Sequence, residues 1–87
     1  MSWASFCEIY LNKLIDDAIA SGIPLFMFNS IIYYMRNRTQ SNLNTIVAHR
    51  RWIQRRVHNP QVANLTPYQY EKLIGVYNYA LNKCFDS

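Results

Sequence analysis

Apolar residues recur three and four apart through the first part of the chain, at Trp3, Phe6, Cys7, Tyr10, Leu11, Leu14, Ile15, Ala18 and Ile19. Such a series marks an amphipathic helix with one buried stripe, here over 3–20. Ser2 is placed to cap its start. Ser21-Gly22 ends it, with Gly22 suited to the left-handed position after a helix. The other face carries Glu8, Asn12, Lys13, Asp16 and Asp17 and reads as solvated.

The second segment, Pro24 to Arg36, is apolar nearly all the way round. Pro24 suits the first helical position, where a missing N–H costs nothing. A helix without a polar face is buried on most sides. Four helices this short can hardly surround one of their own, so self-association as a homodimer is expected.

A polar linker over 37–42 offers Thr39 or Ser41 as the next cap. The third segment runs from about Asn42 to His58. At about 100° per residue, Leu43, Ile46, Val47, Ile53 and Val57 share one arc. Arg50 lies inside that arc, so it should snorkel to the rim or pair with Asp16 or Asp17. Asn59-Pro60 stops the helix, because a residue before proline avoids the helical region. Positions 61–65 read as loop. Thr66-Pro67-Tyr68-Gln69 then forms a capping box that opens a fourth helix, reaching about Cys84. Its stripe includes Tyr70, Leu73, Ile74, Tyr77, Ala80, Leu81 and Cys84. Gly75, costly inside a helix, should mark a close helix crossing.

These elements predict one all-α domain over 1–87, packed as a compact four-helix bundle. The composition agrees: 51% of residues are hydrophobic and only two glycines and three prolines occur. That is too apolar for a disordered chain and too poor in turn residues for a β-domain. If the helices run up and down in turn, Cys7 and Cys84 meet at one end, both reduced.

Charge adds the sharpest feature. The stretch from Arg36 to His58 holds all six arginines and both histidines, and no acid. The rest of the chain is net acidic within an overall charge of +4. A segregation of this kind marks a surface that meets something anionic. On the helix wheel His49, Arg51, Trp52, Arg55 and Arg56 lie opposite the apolar arc, and Arg36 and Arg38 precede them. Arginines supply bidentate donors for carboxylate or phosphate, and an exposed tryptophan supplies a flat anchor. Seven tyrosines, including the adjacent Tyr33 and Tyr34, also favour an interface.

Other function classes are weakly supported. No Cys-x-x-Cys or clustered Cys/His spacing suggests a metal site. Glycine-rich phosphate loops are missing, and Asp16 and Asp17 point about 100° apart on a helix, so they form no acid–base pair. The second and third segments have the order of a helix-turn-helix. Yet the second is too apolar to cross a phosphate backbone, and the turn lacks glycine. The longest apolar run, Ile23 to Met35, spans 13 residues, against about 20 for a membrane span. With no basic region before an apolar run at the N-terminus, a cytoplasmic protein with no membrane partner is expected.

The expectation is therefore a small non-enzymatic binding protein, without a cofactor or metal. It would act as an inhibitor, adaptor or modulator, docking on the acidic surface of a larger protein. The alternatives are a nucleic-acid binder using the same arginines, or a binder of a small anion such as a nucleotide.

Overall fold

Helix α1 (Trp3–Ala20) opens the structure, a computed structural model that describes residues 3–85, with side chains from Phe6 onward. The expected Ser2 cap and the Trp3 side chain lie outside those residues. The helix ends as its sequence predicts. Gly22 takes φ 101°, and its N–H reaches the Ile19 carbonyl at 2.9 Å. The Ile23 N–H reaches the Ala18 carbonyl at 3.2 Å. Together these two bonds form a Schellman motif, and Ala18 and Ile23 at its ends are both buried. Cys7, Leu11, Ile15 and Ala18 are buried, but Phe6 and Tyr10, expected on the same stripe, are 53% and 42% exposed. The buried stripe is narrower than the apolar one because α1 packs mainly on α5 and the turn that follows it.

The second segment breaks in two. Pro24 is extended (φ −63°, ψ 143°) and precedes a 3₁₀ turn, Leu25–Phe28, before α2 (Asn29–Arg36) begins. Pro24 is thus outside the helix, not its first residue. Met27, Phe28, Ser30 and Ile31 are buried, whereas Leu25, Phe26 and Tyr33 are 55%, 48% and 60% exposed. Within one chain the segment is one-sided, with no helix of this chain covering its outer apolar residues. Breaking the run at Phe28 resets the helical phase, so its apolar residues divide between core and surface.

Helix α3 (Gln40–Gln54) is capped by Thr39, whose Oγ1 accepts the Asn42 N–H at 3.1 Å. It ends four residues before the expected His58. The Asn59 side chain folds back, and Nδ2 donates to the carbonyls of Trp52 at 2.7 Å and Arg55 at 3.0 Å. The same carbonyls also accept the Arg55 N–H at 3.2 Å and the His58 N–H at 2.9 Å, so the side chain adds to the tightened bonds of the helix end. A 3₁₀ turn (Arg56–His58) follows, and Val57, expected in the core, is 82% exposed. The expected loop at 61–65 is partly helical: α4 (Pro60–Ala63) starts with Pro60 at its first turn and buries Val62 completely.

Helix α5 (Pro67–Tyr79) carries the full capping box. The Gln69 N–H donates to Thr66 Oγ1 at 3.1 Å, and the Thr66 N–H donates to Gln69 Oε1 at 2.9 Å. A π turn at Ala80–Cys84 closes with the Phe85 N–H on the Ala80 carbonyl at 2.6 Å. The wider turn brings Leu81 and Phe85 both into the core. Gly75 marks no crossing: a Cβ there would meet nothing within 4 Å.

The fold is all-α, with five α-helices where four were expected and no strand among the described residues. Helix α5 is the shared partner, packed on α1 along one side and α3 along the other, while α2 packs on α3. Tyr77, Phe28, Leu11, Ile46 and Leu73 lie at the centre, each essentially sealed from water.

Candidate binding face on α2 and α3

The arginine-rich stretch does not form one patch. Arg38 forms an ion pair with Glu8 of α1, and its guanidinium lies 5.6 Å from the ring centres of both Tyr34 and Phe85. Arg56 turns inward, donating to the Leu65 carbonyl at 2.7 Å and lying 4.6 Å over Tyr70. Arg50 is half-buried and donates to Asn78 Oδ1 at 3.3 Å, so neither Asp16 nor Asp17 holds it. Arg38, Arg50 and Arg56 thus have partners within the chain, and a partner binding at Arg38, which stays exposed, or at Arg56 would compete with those contacts. The wheel missed Arg56 because α3 has ended before that position.

Arg36, Arg51 and Arg55 remain exposed and carry no ion pair among the described residues. All lie on α2 or α3 or just past the end of α3. The acids are elsewhere: Asp17 and Glu71 border a separate hollow between α1 and α5. Lys72 borders that hollow too, so it is the free arginines, and not all cations, that lie away from the acids.

Two hollows meet at His49. One, of about 440 Å³, is lined by Phe26, Met27, Ala48, Trp52 and Ile53, with Tyr77 at its floor. Trp52 is half-buried and packs against the core, so it is a wall of this pocket and not a free outer platform. Arg51, on the same helix, and Arg55, just past its end, are exposed but do not line it. The other hollow, of about 500 Å³, lies between α2 and α3. Asn29, Tyr33 and Arg36 reach it from one helix, and Asn42, Thr45 and His49 from the other.

A polar chain runs between the hollows into the core. His49 Nδ1 lies 2.9 Å from Ser30 Oγ, Ser30 Oγ lies 3.3 Å from the Tyr77 hydroxyl, and that hydroxyl donates to the Met27 carbonyl. A carbonyl only accepts, so Tyr77 gives its single proton to Met27. Ser30 then donates to Tyr77, and His49 must donate Nδ1–H to Ser30. All three contacts are satisfied only in this direction. It leaves Nε2 of neutral His49 as the free acceptor. It also leaves His49 unable to draw the Ser30 proton, as a nucleophile's base must. Burial raises the Tyr77 hydroxyl above its ordinary value, and the Ser30 hydrogen bond offsets part of that. Sequence reasoning named His49 but missed Ser30, which looks like an ordinary polar residue in an apolar run.

At the opposite end, Cys7 and Cys84 are both free thiols. The Cys7 Sγ–H points to the Lys83 carbonyl at 3.8 Å, and Cys84 is close enough to Cys7 for the two thiols to influence each other's ionisation. The expected proximity is therefore present. Among the described residues no group of three His, Cys, Asp or Glu is placed to share a metal ion, and no helix is long and apolar enough to cross a membrane. No protein-family model, curated protein or solved structure matches this chain.

Proposed function

We propose that the protein is a small binding module that captures an acidic segment of a larger protein, as an inhibitor, adaptor or modulator. One observation carries this reading: an apolar pocket walled by Trp52 and Phe26 opens on α3, the stretch that also carries the exposed Arg51 and Arg55, whose side chains have no ion pair among the described residues. An apolar side chain of the partner would fill the pocket. Neighbouring carboxylates would meet the arginine forks. Among the described residues no acid lines the pocket. The reading places the protein in the cytoplasm, where its two thiols would stay reduced.

Selection from a displayed random peptide library tests it. The enriched peptides should combine Asp or Glu with one large apolar residue. Arg51→Glu with Arg55→Glu should abolish their binding, because the steering and pairing charge reverses. Enrichment without acidic residues would overturn the reading. So would tighter binding of mixed-sequence nucleic acid, with the steep log-linear salt dependence that phosphate neutralisation produces.

A homodimer is a second proposal. It rests on the exposed Leu25, Phe26 and Tyr33, whose large apolar surfaces lie on one segment. Sedimentation of the full chain at high micromolar concentration tests it. A species at the chain's 10.3 kDa excludes it.

A further inference from the structure

We propose that the hollow between α2 and α3 binds a small phosphomonoester, with its phosphate held by Arg36 and His49 and its body against Ile32 and Tyr33. This site is separate from the docking pocket, which lies on the other side of His49, and does not depend on it.

The sequence builds the site from two helix faces. Asn29, Ile32, Tyr33 and Arg36 are three, four and seven apart on α2, so they share a face. Asn42, Thr45 and His49 are three and seven apart on α3 and share another. The two faces pack together and leave a hollow of about 500 Å³. That volume suits a small organic ligand and far exceeds a bare phosphate ion.

The chemistry of the lining selects the ligand. No acid lines the hollow, and its groups of basic character are Arg36 and His49. Arg36 has no ion pair among the described residues and is exposed, so its guanidinium is available for a bidentate contact. His49 donates Nδ1–H inward to Ser30, which fixes the ring and leaves Nε2 for a ligand. A neutral Nε2 accepts a proton, and a protonated one donates. A phosphomonoester carries about −1.5 to −2 charge at neutral pH and three acceptor oxygens, against one charge and two oxygens for a carboxylate, so it can serve the Arg36 fork and His49 together. Asn29 adds an exposed amide at the rim. The ring of Tyr33, 60% exposed, and the half-buried Ile32 give an apolar wall on which a flat body can lie.

The test uses phenyl phosphate, inorganic phosphate and benzoate as probes, titrated into the full chain and followed by amide NMR shifts. Phenyl phosphate should bind at least tenfold more tightly than either of the others. Its shifts should centre on Asn29, Tyr33, Arg36, Thr45 and His49. Arg36→Gln should weaken it at least tenfold, the loss expected of a charged hydrogen-bond pair. This variant alters an exposed, unpartnered side chain, so the fold should persist, and an unchanged thermal midpoint checks that. Arg51→Gln, outside the hollow, should leave affinity unchanged. Equal loss in Arg36→Gln and Arg51→Gln would mean diffuse attraction to the basic side and overturn the site. Benzoate binding as tightly as phenyl phosphate would overturn the phosphate assignment. Inorganic phosphate binding as tightly would overturn the role of Ile32 and Tyr33. No saturable binding of phenyl phosphate at millimolar concentration would overturn the proposal outright.

Discussion

The Arg56 guanidinium lies 4.6 Å above the ring of Tyr70, while the next residue back, Arg55, is exposed and free of partners. Adjacent arginines in one basic run thus have different work. Arg56→Ala should cost about 2 kcal/mol of stability, through a lost charged hydrogen bond to Leu65 and a lost cation–π contact. Arg55→Ala should cost under about 0.5 kcal/mol, as exposed substitutions do. Denaturant unfolding of the two variants measures the difference. Equal midpoints would contradict the separation of a structural arginine from a binding one.

The two glycines should respond in opposite directions to alanine. Gly22 has φ 101°, and a Cβ there would meet Gln69 Nε2 at 2.9 Å. That nitrogen also donates to the Ser21 carbonyl at 2.8 Å, joining the end of α1 to the start of α5. Gly22→Ala should therefore lower stability by about 1–2 kcal/mol from the left-handed backbone alone, and by more if Gln69 is displaced. Gly75 is in the interior of α5 with open space around it. Gly75→Ala should raise stability by about 0.5–1 kcal/mol. Thermal melts of both variants decide it. A destabilised Gly75→Ala would show a close approach that the structure lacks.

Trp52 should show both a stability and a binding effect. A fully buried tryptophan costs about 3–5 kcal/mol when cut to alanine. Trp52 is half-buried against the core, so about 2 kcal/mol is expected. Selected acidic peptides should bind the folded variant far more weakly, because the pocket loses a wall. Val57→Ser, at a position 82% exposed, should change stability by under about 0.5 kcal/mol. Urea unfolding at fixed pH checks the pair. A large loss in Val57→Ser would restore the longer α3.

The contrast between Trp52 and Val57 shows what the sequence could reveal. Periodicity located every long helix, and local chemistry located most ends: Gly22 after α1, Thr39 before α3, and the Thr66–Gln69 box before α5. The errors share a cause. A helix wheel assumes one unbroken phase, and this chain breaks phase after Phe28, after Gln54 and at Ala80. The break after Gln54 depends on Asn59 reaching back to the Trp52 carbonyl, a contact that no window of alternating polarity registers. Past that break the wheel angles of Arg56 and Val57 lose their meaning. Val57, on the core arc of the wheel, is 82% exposed, and Arg56, on its outer arc, is half-buried. The basic character of the α2–α3 side was legible because charge is a property of composition. Its division into free and structural arginines was not, because it depends on where Glu8, Tyr70 and Asn78 lie.

The buried Cys84 thiol should give the protein a stability loss at alkaline pH. Burial, then the neighbouring Cys7 thiol, pushes Cys84 from its ordinary 9.0 up to about 12. The unfolded chain therefore releases the Cys84 proton near pH 9, while the folded chain holds it until about pH 12. Where the folded state binds more protons than the unfolded state, stability falls as pH rises. The Cys84 contribution is fully present below pH 9 and is lost progressively from there towards 12. Tyr77, raised above 10.0 by burial, acts with the same sign at higher pH. Unfolding measured at pH 7.5, 8.5, 9.5 and 10.5 should show a plateau and then a decline. Cys84→Ala should remove most of the decline between pH 9 and 10, before the tyrosine adds to it. The same holding of the proton should make Cys84 slow towards thiol reagents at pH 8, since the thiolate is the nucleophile. Folded protein should react with a disulfide reagent far more slowly than protein in denaturant, where both thiols count. Fast reaction of one thiol in the folded state, together with a flat stability from pH 7.5 to 10.5, would show that Cys84 ionises as an ordinary surface thiol.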